Sequence, residues 1–220
     1  MSEYRDVVIP GEKIEQVKGK KLGKGVYSEG ESVYSQLTGI PRINETEISV
    51  IPLSGVYIPT LGDRAIGIIE SVEISGWMVD VNSPYNSFLP VSEAVDEFFD
   101  MARTDISKFF DVNDIIFCKV SKVTKNKTVQ VSLRDPMARK LHGGVIIKVT
   151  PSKIPRIIGK AGSMISLIKT KTQCDIFTGQ NGVIWLRGEN KAKAIEAILT
   201  IEKESHATGL TEKITSMLGG

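Results

Sequence analysis

The run Ile154-Pro155-Arg156-Ile157-Ile158-Gly159-Lys160-Ala161-Gly162-Ser163-Met164-Ile165 constrains the fold more than any other part of the chain. Two stretches with helical spacing of apolar residues are separated by four residues, two of them glycine. The backbone must therefore turn sharply between two helices, through angles that L side chains resist. Such a loop lets the main chain approach another backbone with no Cβ in the way. Lys160 adds positive charge, and the helix that follows turns unpaired N–H groups outward. A sugar-phosphate strand, single-stranded rather than duplex, is the partner this chemistry suits.

The tetrapeptide by itself proves little. With 20 glycines in 220 residues, about two GxxG matches arise by chance, and the chain has two. The second, Gly179-Gln180-Asn181-Gly182, separates two β-like runs and is followed by no helix, so it reads as a hairpin turn. Charge separates the pair further. The formal net charge is +2 overall, but residues 1–57 carry −1, residues 58–140 carry −2 and residues 141–220 carry +5. No acidic residue lies between Asp135 and Asp175, whereas Arg139, Lys140, Lys148, Lys153, Arg156, Lys160, Lys169 and Lys171 all do. A one-sign field around the first loop favours phosphate.

Three modules and a tail follow from the patterning. Residues 1–57 alternate short strand-like runs with turns at Pro10-Gly11, Gly23-Lys24-Gly25 and Ser54-Gly55, which predicts a small all-β domain. Residues 58–135 predict strands around Ile66 to Ile69, Gly76 to Val81, Ile115 to Val120 and Val129 to Leu133. The period of two places Trp77, Val79 and Val81 on one face. Between the early and late strands, Ser92 is positioned to cap a helical turn carrying Val95, Phe98 and Phe99, and this order is that of an OB barrel. Residues 142–205 read strand, helix, GxxG, helix, strand, strand, helix, and residues 206–220 form a tail with a short helix from Thr211 to Leu218.

The GKAG loop inside a β-α-α-β-β-α order resembles a type I KH domain. Gly62-Asp63, Ile66-Gly67-Ile68, Gly76-Trp77-Met78-Val79, Phe88-Leu89-Pro90-Val91-Ser92 and Asn113-Asp114 are similar to an RNA-binding barrel of the ribosomal-protein S-one type. Pro10-Gly11-Glu12, Gly23 to Tyr27, and Val50 to Pro59 are similar to the N-terminal domain of RNA exosome cap subunits. In this order the three cover nearly the whole chain and resemble the KH-bearing cap subunit family of the archaeal exosome. The other cap family ends in a zinc ribbon, which needs four ligands that Cys118 and Cys174 do not supply.

The resemblance implies a non-catalytic RNA-binding subunit of mixed β and α+β architecture, needing no cofactor or metal. Its expected partners are single-stranded RNA, with an A-rich preference in view, and a hexameric ring of RNase PH-like subunits that carries three such caps and performs the phosphorolysis. In the KH module, Gly159, Ala161 and Gly162 are expected at the backbone, Lys160, Arg156 and Lys153 at phosphates, and Ile157, Ile158 and Ile165 beneath the bases. In the barrel, Ser75, Met78 and Pro90 stand where the family commonly carries an aromatic pair and a histidine. RNA contact is therefore expected through Arg64, Lys122, Lys125, Lys127 and Arg134.

Other chemistries have little support. His142 and His206 lack a motif, the two cysteines sit in strand-like apolar runs as buried thiols do, and Glu93, Asp96, Glu97 and Asp100 read as one solvated helix side. The phenylalanines Phe98, Phe99, Phe109 and Phe110 read as packing. No charged-then-apolar leader or membrane-length apolar run is seen, so a cytoplasmic protein is expected. A free-standing RNA-binding translation factor or RNA chaperone is the alternative reading.

Overall fold

The computed structural model describes residues 7–16, 19–95, 106–205 and 209–219. The chain divides into two compact units, Met1–Gly55 and Val56–Gly220. In the first, short strands alternate with glycine turns: β1 (Lys13–Gln16), β2 (Lys21–Leu22), β3 (Val26–Glu29), β4 (Ser32–Ser35), β5 (Gly39–Ile43) and β6 (Glu47–Pro52). They make two three-stranded sheets, ordered β1-β4-β3 and β2-β6-β5. Alternation along β4 and β6 sends Val33, Ile48 and Val50 inward, where they close a small core with Val8 and Val26.

The second unit begins with a barrel whose core already includes Tyr57. Its strands are β7 (Arg64–Glu73), β8 (Gly76–Asp80), β9 (Ser87–Pro90), β10 (Ile115–Val123) and β11 (Val129–Ser132), with β12 (Arg139–Leu141) added on β10. Neighbours run β11-β9-β8-β7-β10, and β10 pairs back to β11, so the five strands close as an OB-type barrel. Trp77, Val79 and Val81 point inward as their spacing requires. The buried Trp77 indole donates to the Phe110 carbonyl at 2.8 Å, and the two rings meet edge to face at 5.2 Å. That pairing satisfies an N–H that burial would otherwise orphan.

The helical insertion differs from its sequence reading. Helix α1 (Val91–Ala94) starts after Pro90, with no side-chain cap, and Val95 is already extended. Pro90 presets the entry backbone, which places Ser92 inside the helix instead of at its cap. Phe98, Phe99, Asp96, Glu97, Asp100 and His206 lie outside the described residues.

The remaining elements are β13 (Val145–Lys148), α2 (Ile154–Ile158), α3 (Ser163–Thr172), β14 (Asp175–Thr178), β15 (Val183–Arg187), α4 (Lys191–Lys203) and α5 (Leu210–Met217). The sheet order β13-β15-β14 is antiparallel throughout, as in a type I KH fold. One sheet face, with Ile176, Ile184 and Leu186, packs on Ile157 of α2, Ile168 of α3 and Ala194, Ile198 and Ile201 of α4. Leu210 and Ile214 of α5 join the same core, so the C-terminal helix is part of it. The opposite face carries Phe177, Val183 and Trp185, which pack on Ile66, Phe117 and Leu141 of the barrel. Burying an aromatic of this size removes on the order of 150–250 Å² from water, a few kcal/mol per side chain. Among the described residues no helix is long and apolar enough to cross a membrane.

Candidate nucleic-acid interface

The GKAG loop is built from left-handed backbone. Gly159 has φ 75° and ψ 174°, Ala161 has φ 51° and ψ 29°, and Gly162 has φ 78° and ψ 11°. The two glycines are needed for different reasons. A Cβ at Gly159 would stand 2.7 Å from the Met164 Cβ and 2.8 Å from its nitrogen, so the first turn of α3 packs directly on this position. A Cβ at Gly162 would meet nothing within 4 Å. Gly162 is therefore required by conformation alone, and its open side is space another backbone can enter. Helix α3 starts at Ser163 with no side-chain cap and no acidic residue in its first turn, which leaves the positive end of its dipole beside the loop.

Side chains around the loop sort into two groups. Lys160 and Arg156 are exposed and Lys153 is half-buried, and Lys160 has no ion-pair partner among the described residues. The isoleucines divide differently from their sequence reading. Ile157 is 0% exposed and Ile165 9%, both in the hydrophobic core, whereas Ile158 is partly accessible at its margin. Ile157 and Ile165 therefore lie in the core beneath the surface, and Ile158 reaches its edge. Helical spacing predicts an apolar face but not which of its members the neighbouring helix covers.

On the barrel, strand register assembles a second surface. Cα partners run Ser71 to Met78, Met78 to Phe88, Phe88 to Gln130 and Gln130 to Lys122, one transverse row across β7, β8, β9, β11 and β10. None of these side chains belongs to the barrel core. Phe88 alternates with the inward Leu89, so its ring lies on the outer face, where its tip comes within 2.8 Å of a Cβ built on Gly76. Lys127, in the turn joining β10 to β11, places its ammonium 5.3 Å from the centroid of the half-buried Tyr85 ring. Lys122, Lys125 and Lys127 thus share one hairpin, all exposed. Phe88 and Tyr85 escape a comparison with family positions alone. The alternation of Phe88 with Leu89 is the signal that points to Phe88.

Arg64 and Arg134 both make contacts within the fold. Arg64 Nη2 pairs with Asp135 at 3.1 Å. Arg134 donates from Nε and Nη2 to the Ser92 carbonyl at 2.9 and 2.7 Å. Arg64 also marks the seam between barrel and KH module: its N–H donates to Gln180 Oε1 at 2.7 Å, and its carbonyl accepts from the Gln180 N–H at 2.8 Å.

The second GxxG is the other half of this seam. It is the hairpin turn its sequence predicts, and it also inserts into the barrel where the β7-β8 ladder ends. Asn181 is 0% exposed. Its Nδ2 donates to Ile66 O at 2.7 Å and Val81 O at 2.9 Å, while its Oδ1 accepts from Ile66 N at 3.3 Å. Asn82 Nδ2 returns a bond to the Asn181 carbonyl at 2.9 Å. One amide side chain thus stands in for a missing strand neighbour, and it ties the two modules together.

Other reactive groups are placed away from these surfaces. Cys118 is buried in the barrel, where desolvation pushes its thiol up to about 12, and Cys174 is buried in the KH core. Among the described residues no group of three or more His, Cys, Asp or Glu side chains could hold a metal ion.

Comparison with known proteins agrees with this architecture. A KH domain family model matches residues 144–192. The exosome complex component Rrp4 of Pyrococcus furiosus is 45% identical over 221 residues, covering 98% of this chain and 83% of that protein. Its counterpart in Methanothermus fervidus is 39% identical over 216 residues, covering 97% and 95%. A crystal structure of a protein provisionally described as an exosome complex RNA-binding protein superimposes with a TM-score of 0.68. It is 34% identical and covers 74% of this chain and 95% of that one.

Proposed function

The chain belongs to the Rrp4 family of exosome complex components, and on that basis we propose that it is a non-catalytic cap that captures single-stranded RNA and feeds it to a degrading ring. The observation that carries this reading is the GKAG loop. It combines exposed Lys160, open space at Gly162 and an acid-free first turn of α3 in one place. In this reading Gly159 shapes the loop and Gly162 admits the strand. Lys160, Arg156 and Lys153 meet phosphates, and Ile158 offers an apolar edge to a base. Phe88 and the hairpin lysines Lys122, Lys125 and Lys127 give the barrel its own binding surface.

The N-terminal unit docks on a hexameric ring of RNase PH-like subunits, three caps to a ring. Exposed apolar side chains in that unit, among them Ile9, Leu22, Ile43 and Ile51, support such docking. Phosphorolysis then belongs to the ring and not to this chain, and the assembly is cytoplasmic.

Substituting Lys160→Asp together with Ala161→Asp tests the clamp. Asp tolerates the left-handed conformation of Ala161, so the fold is spared while the charge reverses. The variant is expected to bind a single-stranded oligoribonucleotide more weakly, with a salt slope reduced by about 0.7 for each phosphate that is no longer neutralised. An unchanged affinity and slope would refute the clamp.

A further inference from the structure

We propose that the cleft between β12 and the outer face of the KH sheet is a second seat for the RNA strand, taking a phosphodiester and nucleotide beyond those held by the GKAG loop. The inference rests on the RNA-binding reading above and adds a site to it. Alternation along β14 and β15 sends Ile176, Ile184 and Leu186 to the helices, and turns Phe177, Trp185 and Arg187 the other way. There they face Arg139, Lys140 and His142 across a cleft of about 320 Å³. That is the size of a small-ligand pocket, enough for a single nucleotide.

Charge and ring chemistry favour an anionic strand. Three permanent cations line the cleft against one carboxylate, that of Asp175. Lys140 is taken by Asp114, whereas Arg139 is held, among the described residues, only by a hydrogen bond from its Nε to the Met137 carbonyl at 3.3 Å and by its contact with the Phe177 ring. Arg187 pairs with Asp175 at 2.9 Å, with the side chains 55% and 61% exposed. A pair this open contributes little to stability, so the guanidinium can exchange the carboxylate for a phosphate at small cost. Arg139 lies 5.4 Å from the centroid of the Phe177 ring, and Arg187 lies 5.6 Å from that of Trp185. Both guanidinium groups are thus held at the cleft by aromatic faces.

Continuity with the loop gives the strand a path. Lys169 of α3, the helix that begins at the GKAG loop, sets its ammonium 5.8 Å from the same Phe177 ring. Phe177 belongs to β14, an edge strand of the KH sheet. Cations therefore reach one edge-strand ring from α3 and from β12. An RNA leaving the loop along α3 crosses β14 from Lys169 to Arg139.

The test uses the full chain and two single-stranded oligoribonucleotides, of four and of sixteen residues, titrated by fluorescence anisotropy at several salt concentrations. The variant combines Arg139→Ala and Arg187→Ala. The expected result is unchanged affinity for the tetranucleotide. For the 16-mer, the salt slope should fall by about 0.7, the value for one phosphate, equivalent to about 5-fold weaker binding at 0.1 M salt relative to 1 M. Equal affinity of variant and wild type for the 16-mer would overturn the proposal. Equal weakening for both lengths would also overturn it, because the arginines would then serve the loop site. Unchanged RNA binding with weakened attachment to ring subunits would assign the cleft to an acidic protein segment instead.

A second readout is independent of the substitutions. The Trp185 indole N–H donates to the Gly143 carbonyl at 2.8 Å, and its NMR resonance should shift with the 16-mer and stay still with the tetranucleotide. A resonance unmoved by saturating 16-mer would overturn the proposal. If the Lys160→Asp, Ala161→Asp variant keeps its tetranucleotide affinity, the loop reading fails, while the 16-mer comparison still decides the cleft.

Discussion

Replacing Asn181 by aspartate preserves the shape of one buried side chain and reverses the sense of its hydrogen bonding. The amide donates to two carbonyls, Ile66 O at 2.7 Å and Val81 O at 2.9 Å, in a position that is 0% exposed. An ionised carboxylate there would set its oxygens against both carbonyls, so the folded state holds the new carboxyl neutral. Holding it neutral at pH 7 against a solution value near 3.9 costs about 4 kcal/mol. A neutral carboxyl donates only once, and the carbonyl left over costs about 1 kcal/mol more. Asn181→Asp is therefore expected to destabilise the second unit by up to about 5 kcal/mol at pH 7.

The folded pKa of the introduced group is raised above the unfolded value, so its ionisation penalty vanishes below that unfolded value and grows as pH rises toward the folded one. At pH 4.5 the total falls to about 2 kcal/mol. Asn181→Ala should instead cost about 2–3 kcal/mol at both pH values, because it removes the bonds without adding a titrating group. Urea unfolding at the two pH values, followed by tryptophan fluorescence, measures this. Trp77 reports the barrel and Trp185 the KH module. A loss below about 1 kcal/mol for Asn181→Asp, without pH dependence, would refute the role of this amide as the tie between modules.

Three further outcomes are expected. Phe88→Ala should weaken binding of a 16-residue single strand by about 1–3 kcal/mol in anisotropy titrations if its ring stacks on a base, and leave thermal stability nearly unchanged. Burial pushes the Asp114 carboxyl up, but the Lys140 ammonium, the Asp111 N–H and His142 outweigh it and hold Asp114 below its ordinary 3.8. Stability from this pair is thus present above about pH 4 and lost as pH falls through the lowered value. Lys140→Met should raise the Asp114 titration midpoint by NMR, and a wild-type midpoint at or above 3.8 would contradict the pairing. Removing residues 1–55, one compact unit, should abolish co-purification with ring subunits and leave RNA affinity intact. Retained co-purification would place the docking surface elsewhere.

What could be read from the chain was what short-range physics sets. Two glycines between two helical periods require the GKAG turn wherever the segment lies in the molecule, and the period of two along Trp77, Val79 and Val81 requires that these three share a face. Phe88 was legible by the same alternation, but its place beside Met78, Gln130 and Lys122 depends on the register of four strands. Arg64 and Arg134 look in sequence like any solvent-facing cations. Only the fold brings Asp135 to the first and the Ser92 carbonyl to the second.

Asn181 marks the boundary most clearly. Its sequence neighbours dictate a hairpin turn and nothing else. The bonds that give it a role run to Ile66, 115 residues away along the chain. Residues a few positions apart are enough to specify the modules, their order and the loop able to approach a phosphate backbone. How the KH sheet is tied to the barrel, which isoleucines are buried, and where Arg139 and Arg187 meet were settled by folding in three dimensions. Those outcomes depend on which distant surfaces exclude water together, and no local pattern encodes that.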